Sequence, residues 1–134
     1  MTAVLLDTSA LLWLVAEPER VRPSVLDLLE DPDTELAVSA ISAWEIAIKS
    51  RNGRVNAGPL LQGWDELLAS MNVTDLAIDS ADSIAAGGMT WNHKDPFDRM
   101  IVAQAARRGL TVATSDRIII EAELTPVLDT RRSG

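Results

Sequence analysis

The sequence predicts an α/β fold: a central parallel sheet of four to five short strands with helices on both faces. Three observations carry this prediction. Short apolar runs of strand length recur at residues 4–6, 36–38, 73–78, 111–114 and 126–128. Stretches with apolar residues at helical spacing separate them, and strands alternating with helices are the pattern of parallel βαβ units. Cap and turn residues stand at nearly every junction.

In chain order, Val4-Leu5-Leu6 is a buried strand that empties through Asp7-Thr8-Ser9 into a short helix over 10–15, ended near Glu17-Pro18. Pro23 stands at the first turn of a second helix over 24–30, with Val25, Leu28 and Leu29 on one face, and Asp31-Pro32-Asp33 breaks it. After the strand at 36–38, Ser39 caps a helix over 40–51 that stops at Asn52-Gly53. Leu60, Leu61, Trp64, Leu67 and Leu68 repeat as one amphipathic helix. A strand over 73–78 and a helix over 80–86 follow, the latter ended by Gly87-Gly88. A loop over 91–96 leads to a helix over 97–108 closed by Gly109. Residues 116–123 are helical or irregular, and the final 131–134 reads as a frayed tail.

The 134 residues fit one domain, 1–134, and 47% hydrophobic content excludes a disordered chain. No apolar run approaches the roughly 18 residues needed to cross a bilayer, and no basic segment precedes the first apolar run as in a signal peptide. The absence of cysteine excludes disulfide scaffolds, thiolate nucleophiles and zinc–thiolate sites, and suits a cytoplasmic setting. A net charge of −8 argues against holding nucleic acid by bulk electrostatics, although a nuclease whose acids bind cations is compatible with it.

Four acids stand out by position: Asp7, Glu45, Asp98 and Asp116. Each has an ordinary explanation. Asp7 and Asp116 can cap helices, Glu45 pairs with Lys49 at i,i+4, and Asp98 lies in a helix first turn behind the cap Asp95 and Pro96. The topology, however, sets all four on the carboxyl rim of the sheet, where open α/β folds bind ligands. Carboxylates gathered there repel and raise one another's pKa unless a hard dication neutralises them, and oxygen ligands select Mg²⁺ or Mn²⁺. Such a site suits phosphodiester hydrolysis. Thr8, Ser9, Thr114 and Ser115 would line the rim with hydroxyls, and Arg99 could hold a phosphate oxygen or pair with Asp95. Two cationic groups, Lys49 with Arg51 and Arg54, and Arg107 with Arg108, are RNA contacts or answers to helix C-terminal dipoles. Trp91 and His93 are expected near the site, with His93 not needed as a base.

Leu5-Leu6-Asp7-Thr8-Ser9-Ala10-Leu11-Leu12-Trp13, Ser42-Ala43-Trp44-Glu45-Ile46-Ala47-Ile48-Lys49, His93-Lys94-Asp95-Pro96-Phe97-Asp98-Arg99-Met100-Ile101-Val102-Ala103-Gln104-Ala105 and Thr114-Ser115-Asp116 together resemble PIN domains. More narrowly, they resemble the VapC toxins of bacterial type II toxin–antitoxin systems. The resemblance spans nearly the whole chain and implies a PIN-like three-layer α/β/α fold. It implies a Mg²⁺-dependent endoribonuclease with Mn²⁺ as a possible substitute, usually a homodimer, silenced by a VapB antitoxin. It carries over Asp7, Glu45, Asp98 and Asp116 as the catalytic acids, with Asp7, Asp98 and Asp116 as metal ligands. Two other readings stay open: a non-catalytic PIN-like binding module, and a Mg²⁺-dependent phosphatase with Asp7 as nucleophile.

Overall fold

The structure, a computed structural model, describes residues 2–132. β1 (Ala3–Leu6) lies at the centre of a five-stranded sheet. β2 (Glu35–Ser39) and β3 (Val73–Leu76) extend the sheet on one side, and β4 (Thr111–Thr114) and β5 (Val127–Asp129) on the other. The order is β3-β2-β1-β4-β5, every pairing parallel. Val4, Leu5 and Leu6 are wholly buried because both faces of a central strand are covered, which explains an uninterrupted apolar run. Alternate side chains feed two cores. Val4 and Leu6 enter one with Leu36, Val38 and Ala113, and Leu5 enters the other with Ile101, Val102 and Val112.

The helices are α1 (Thr8–Ala16), α2 (Pro23–Glu30), α3 (Ala40–Arg51), α4 (Gly58–Gln62), α5 (Trp64–Met71), α6 (Ser80–Gly88), α7 (Pro96–Arg108) and α8 (Arg117–Ala122). The predicted strand and helix series is thus present, with three differences. The single helix expected across 60–68 is two, because Gly63 leaves helical geometry: its N–H closes α4 on Pro59 and its carbonyl opens α5 to Leu67. Leu60, Leu61, Trp64 and Leu68 still share one core, so the periodicity survives the break. β3 stops at Leu76 rather than 78, since Asp79 must turn out to cap α6.

The third difference is at the carboxyl end. Arg131 and Arg132 are not frayed. Arg22 donates through its backbone N–H to the Thr130 carbonyl (2.8 Å) and through Nε to the Arg131 carbonyl (2.7 Å). The Arg131 guanidinium grips Asp129 at 2.7 and 2.9 Å, and Arg132 reaches the Glu19 carbonyl at 2.9 Å. Residues 133–134 of the predicted tail lie outside the described residues.

Candidate active site

Each acid reaches the carboxyl rim for a local reason. Asp7 follows the last residue of β1, and its N–H still bonds the Ala113 carbonyl of β4 at 3.0 Å. Its side chain caps α1 by accepting from the Ala10 N–H at 2.8 Å. Asp116 does the same for α8, accepting from Ile118 at 2.8 Å, while its own N–H bonds the Thr114 hydroxyl. Asp95 caps α7 by accepting from the Phe97 and Asp98 N–H groups at 2.9 and 3.2 Å, and Asp98, in the first turn, meets His93 at the rim. Ser39 caps α3 and sets Glu45 on its second turn.

The rim divides into two parts. A ring nitrogen of His93 and one carboxylate oxygen each of Asp98 and Asp116 lie within 4.8 Å of one another. His93 Nε2 is 2.7 Å from Asp98 Oδ2. Asp7, 5% exposed, is more deeply buried, yet it feels the charges of both Asp98 and Asp116. Glu45 stands apart: the Thr8 hydroxyl donates to its Oε1 at 2.5 Å, and Lys49 Nζ donates to its Oε2 at 2.7 Å. Ser42 lies 2.9 Å from the Thr8 hydroxyl, so α1 and α3 are tied beside the rim. Thr114 is wholly buried, Ser115 half-buried and Ser9 exposed.

Burial pushes the Asp7 carboxyl up to about 7, against hydrogen bonds from Thr114 and Ala10 that favour its ionised form. Asp98 is pushed up to about 6, again chiefly by burial, against the His93 hydrogen bond and with Asp95 and Asp116 adding repulsion. Among the described residues no lysine or arginine forms an ion pair with Asp7, Asp98 or Asp116. The acids away from the rim are treated otherwise. Asp82 is gripped by Arg107 and Arg108 and Asp129 by Arg131, and each carboxyl is held below its ordinary range. Among the described residues Asp7, Asp98 and Asp116 thus lack a lysine or arginine partner, unlike Glu45, and their oxygen-rich donor set fits a hard divalent cation.

The sequence matches the PIN domain family over residues 4–123. It is 34% identical over 118 residues to ribonuclease VapC22 of Mycobacterium tuberculosis, covering 87% of this chain and 89% of that protein. The chain belongs to the VapC family of PIN domains. The fold likeness extends to VapBC2 of Rickettsia felis bound to a promoter DNA fragment, at TM-score 0.68 and 14% identity, covering 95% of this chain and 98% of that one. It extends also to DNA-bound VapBC of Salmonella typhimurium, at TM-score 0.65 and 21% identity, covering 96% and 98%.

In this VapC-family domain two sequence expectations need correction. Arg99 is neither a free phosphate ligand nor the partner of Asp95. Its guanidinium donates to the carbonyls of Ala86, Gly87, Met89, Trp91 and His93, lacing the α6–α7 connection to α7. Arg107 and Arg108 are occupied by Asp82, and they lie nine and ten residues beyond Asp98, about 14 Å along the helix axis from the rim. His93, set aside as a base, is in direct contact with Asp98. Its place in the loop before Asp95 had put it near the site, and the structure adds the contact. Trp44 is 57% exposed and meets Phe97 edge-to-face at 5.4 Å, so it belongs to the surface beside the rim rather than to either core.

Proposed function

We propose that this VapC-family chain is an endoribonuclease dependent on a divalent cation of the Mg²⁺ or Mn²⁺ kind, the toxin of a pair whose antitoxin is VapB-like. The observation that carries this is the crowding of Asp7, Asp98 and Asp116, for which no lysine or arginine among the described residues supplies an ion pair. Asp98 and Asp116 would hold the cation, with Asp7 beneath them. The bound metal supplies an activated water and charge stabilisation at the scissile phosphate. Thr114 orients Asp7 by hydrogen bonding. Lys49 and Thr8 hold Glu45 aligned through their hydrogen bonds, which suits it to orient water or ribose at the edge of the site rather than to share the metal. Ser9 and Ser115 offer hydroxyls to phosphate oxygens. The homologous ribonuclease supports RNA as substrate, and the VapBC fold relatives support the antitoxin, with a homodimer as the working assembly. No described helix is long and apolar enough to cross a membrane. A phosphatase with Asp7 as nucleophile fits less well, because that carboxylate is buried and its Oδ1 is spent on the Ala10 N–H.

Expression in a bacterial host, with and without the adjacent antitoxin reading frame, is the direct test. The chain alone should arrest growth and generate new RNA 5′ ends, and Asp98→Asn should do neither. Arrest by Asp98→Asn equal to the parent's would sink the mechanism.

Metal binding should also follow pH in a fixed direction. Asp7 at about 7 and Asp98 at about 6 lie above 3.8, so the folded chain holds protons the unfolded chain has released. The metal-free protein therefore loses stability as pH rises from about 4 to about 7. A cation competes with those protons, so the Mg²⁺-induced rise in Tm should be small at about pH 5 and several-fold larger at about pH 8. Thermal melts at the two values decide it, and an equal rise at both contradicts the assignment.

A further inference from the structure

We propose that His93 is a nitrogen ligand of the rim cation, and that it makes the site favour Mn²⁺ over Mg²⁺. This rests on the reading of the rim as a metal centre and goes beyond it, since acids alone would give an oxygen-only site. Nε2 of His93 faces Asp98 Oδ2 across 2.7 Å, and Asp116 completes a triangle whose ligand atoms all fall within 4.8 Å. Neighbouring ligands on an octahedral ion with bonds of about 2.1 Å stand about 3.0 Å apart, and opposite ones about 4.2 Å. The His93–Asp98 separation is close to that of neighbouring ligands, and the 4.8 Å limit on the whole set lies about 0.6 Å above the opposite-ligand span.

The position of the imidazole is built rather than incidental. Arg99 spends its guanidinium on five carbonyls, among them that of His93 itself at 3.0 Å and that of Trp91 at 2.8 Å. The Trp91 ring packs on the imidazole with centroids 5.0 Å apart. The side chain of His93 is 19% exposed, so it points into the rim and not into solvent. A histidine that merely filled a loop would not need its backbone and its ring fixed separately. Imidazole is a good donor to the transition-metal side of the divalent series, whereas Mg²⁺ keeps to oxygen and water. Replacing one oxygen ligand by nitrogen therefore raises Mn²⁺ affinity relative to Mg²⁺.

His93 is the only histidine in the chain, which makes the test specific. Untagged protein carrying ¹⁵N-histidine is loaded with Mn²⁺ and read by electron-spin-echo modulation. Affinities for Mn²⁺ and Mg²⁺ are measured by calorimetry on the parent, His93→Ala and His93→Gln. Direct ¹⁵N coupling is expected in the parent. His93→Gln, which can still donate a hydrogen bond to Asp98, should bind Mg²⁺ like the parent but Mn²⁺ about tenfold more weakly. His93→Ala should lose the Mn²⁺ preference as well. Mn²⁺ bound without ¹⁵N coupling, or an unchanged Mn²⁺:Mg²⁺ ratio in both variants, overturns the role of His93 while leaving the metal centre standing. A parent protein that binds neither ion overturns both.

Discussion

Asp7→Asn should give a metal-free protein that melts higher than the parent at about pH 8, no longer gains stability from Mg²⁺, and cuts RNA at least about 10²-fold more slowly. The three effects have one source. The shift from 3.8 to about 7 corresponds to about 4 kcal/mol of cost for keeping this carboxylate ionised at pH 8. A neutral amide of the same shape avoids that cost but must itself be buried, which leaves a gain of about 2 kcal/mol, or roughly 5–10 °C in Tm. The substitution does not disturb the start of α1, because asparagine caps as well as aspartate and the Ala10 N–H keeps its acceptor. Calorimetry or thermal shift with and without Mg²⁺, beside an RNA cleavage assay, separates the outcomes. A variant that melts lower than the parent while still responding to Mg²⁺ would mean that Asp7 serves folding alone.

Asp82→Ala should be the most destabilising single change to an acid in this protein, with a fall of about 3 kcal/mol and roughly 10 °C. The Asp82 side chain has no exposure, and its two oxygens serve Arg107, Arg108, Gln104 and the Asp79 N–H. Removing it leaves two guanidiniums facing each other with only the half-exposed Asp79, at 3.6 and 3.7 Å, between them and repulsion. The figure is set at the lower end of values for buried pairs because both arginines keep about a third of their surface in water. The carboxyl is held below its ordinary range, so its contribution is present above about pH 4 and is lost only as pH falls well under that. Metal affinity should be unchanged at temperatures where the variant is folded, since the pair lies at the far end of α7 from Asp98. A Tm within about 1 °C of the parent would refute this account.

The rim was legible in the sequence because its logic is local. Apolar runs locate strand ends, and the caps Asp7, Ser39, Asp95 and Asp116 all stand where the pattern places helix starts. Parallel topology then puts those starts on one edge. The features that escaped depend on partners far apart in the chain. Arg99 beside Asp98 looked like a phosphate ligand, but the carbonyls it holds belong to a connection six to thirteen residues earlier. Arg107 and Arg108 looked like ordinary cations at a helix end because nothing nearby announces Asp82, twenty-five and twenty-six residues before them. The break at Gly63 was hidden for another reason. Two helices joined without a change of phase present the same apolar stripe as one.

The strand order has a bearing on how such a molecule is made. The central strand β1 pairs with β4, which comes much later in the chain and lies between Asp98 and Asp116. A translation product that ends before Thr111 carries Asp7 and Glu45 but lacks the strand that would seat them opposite the remaining acids. Synthesis must therefore pass Thr111 and Asp116 before the acids of the rim can be set against one another.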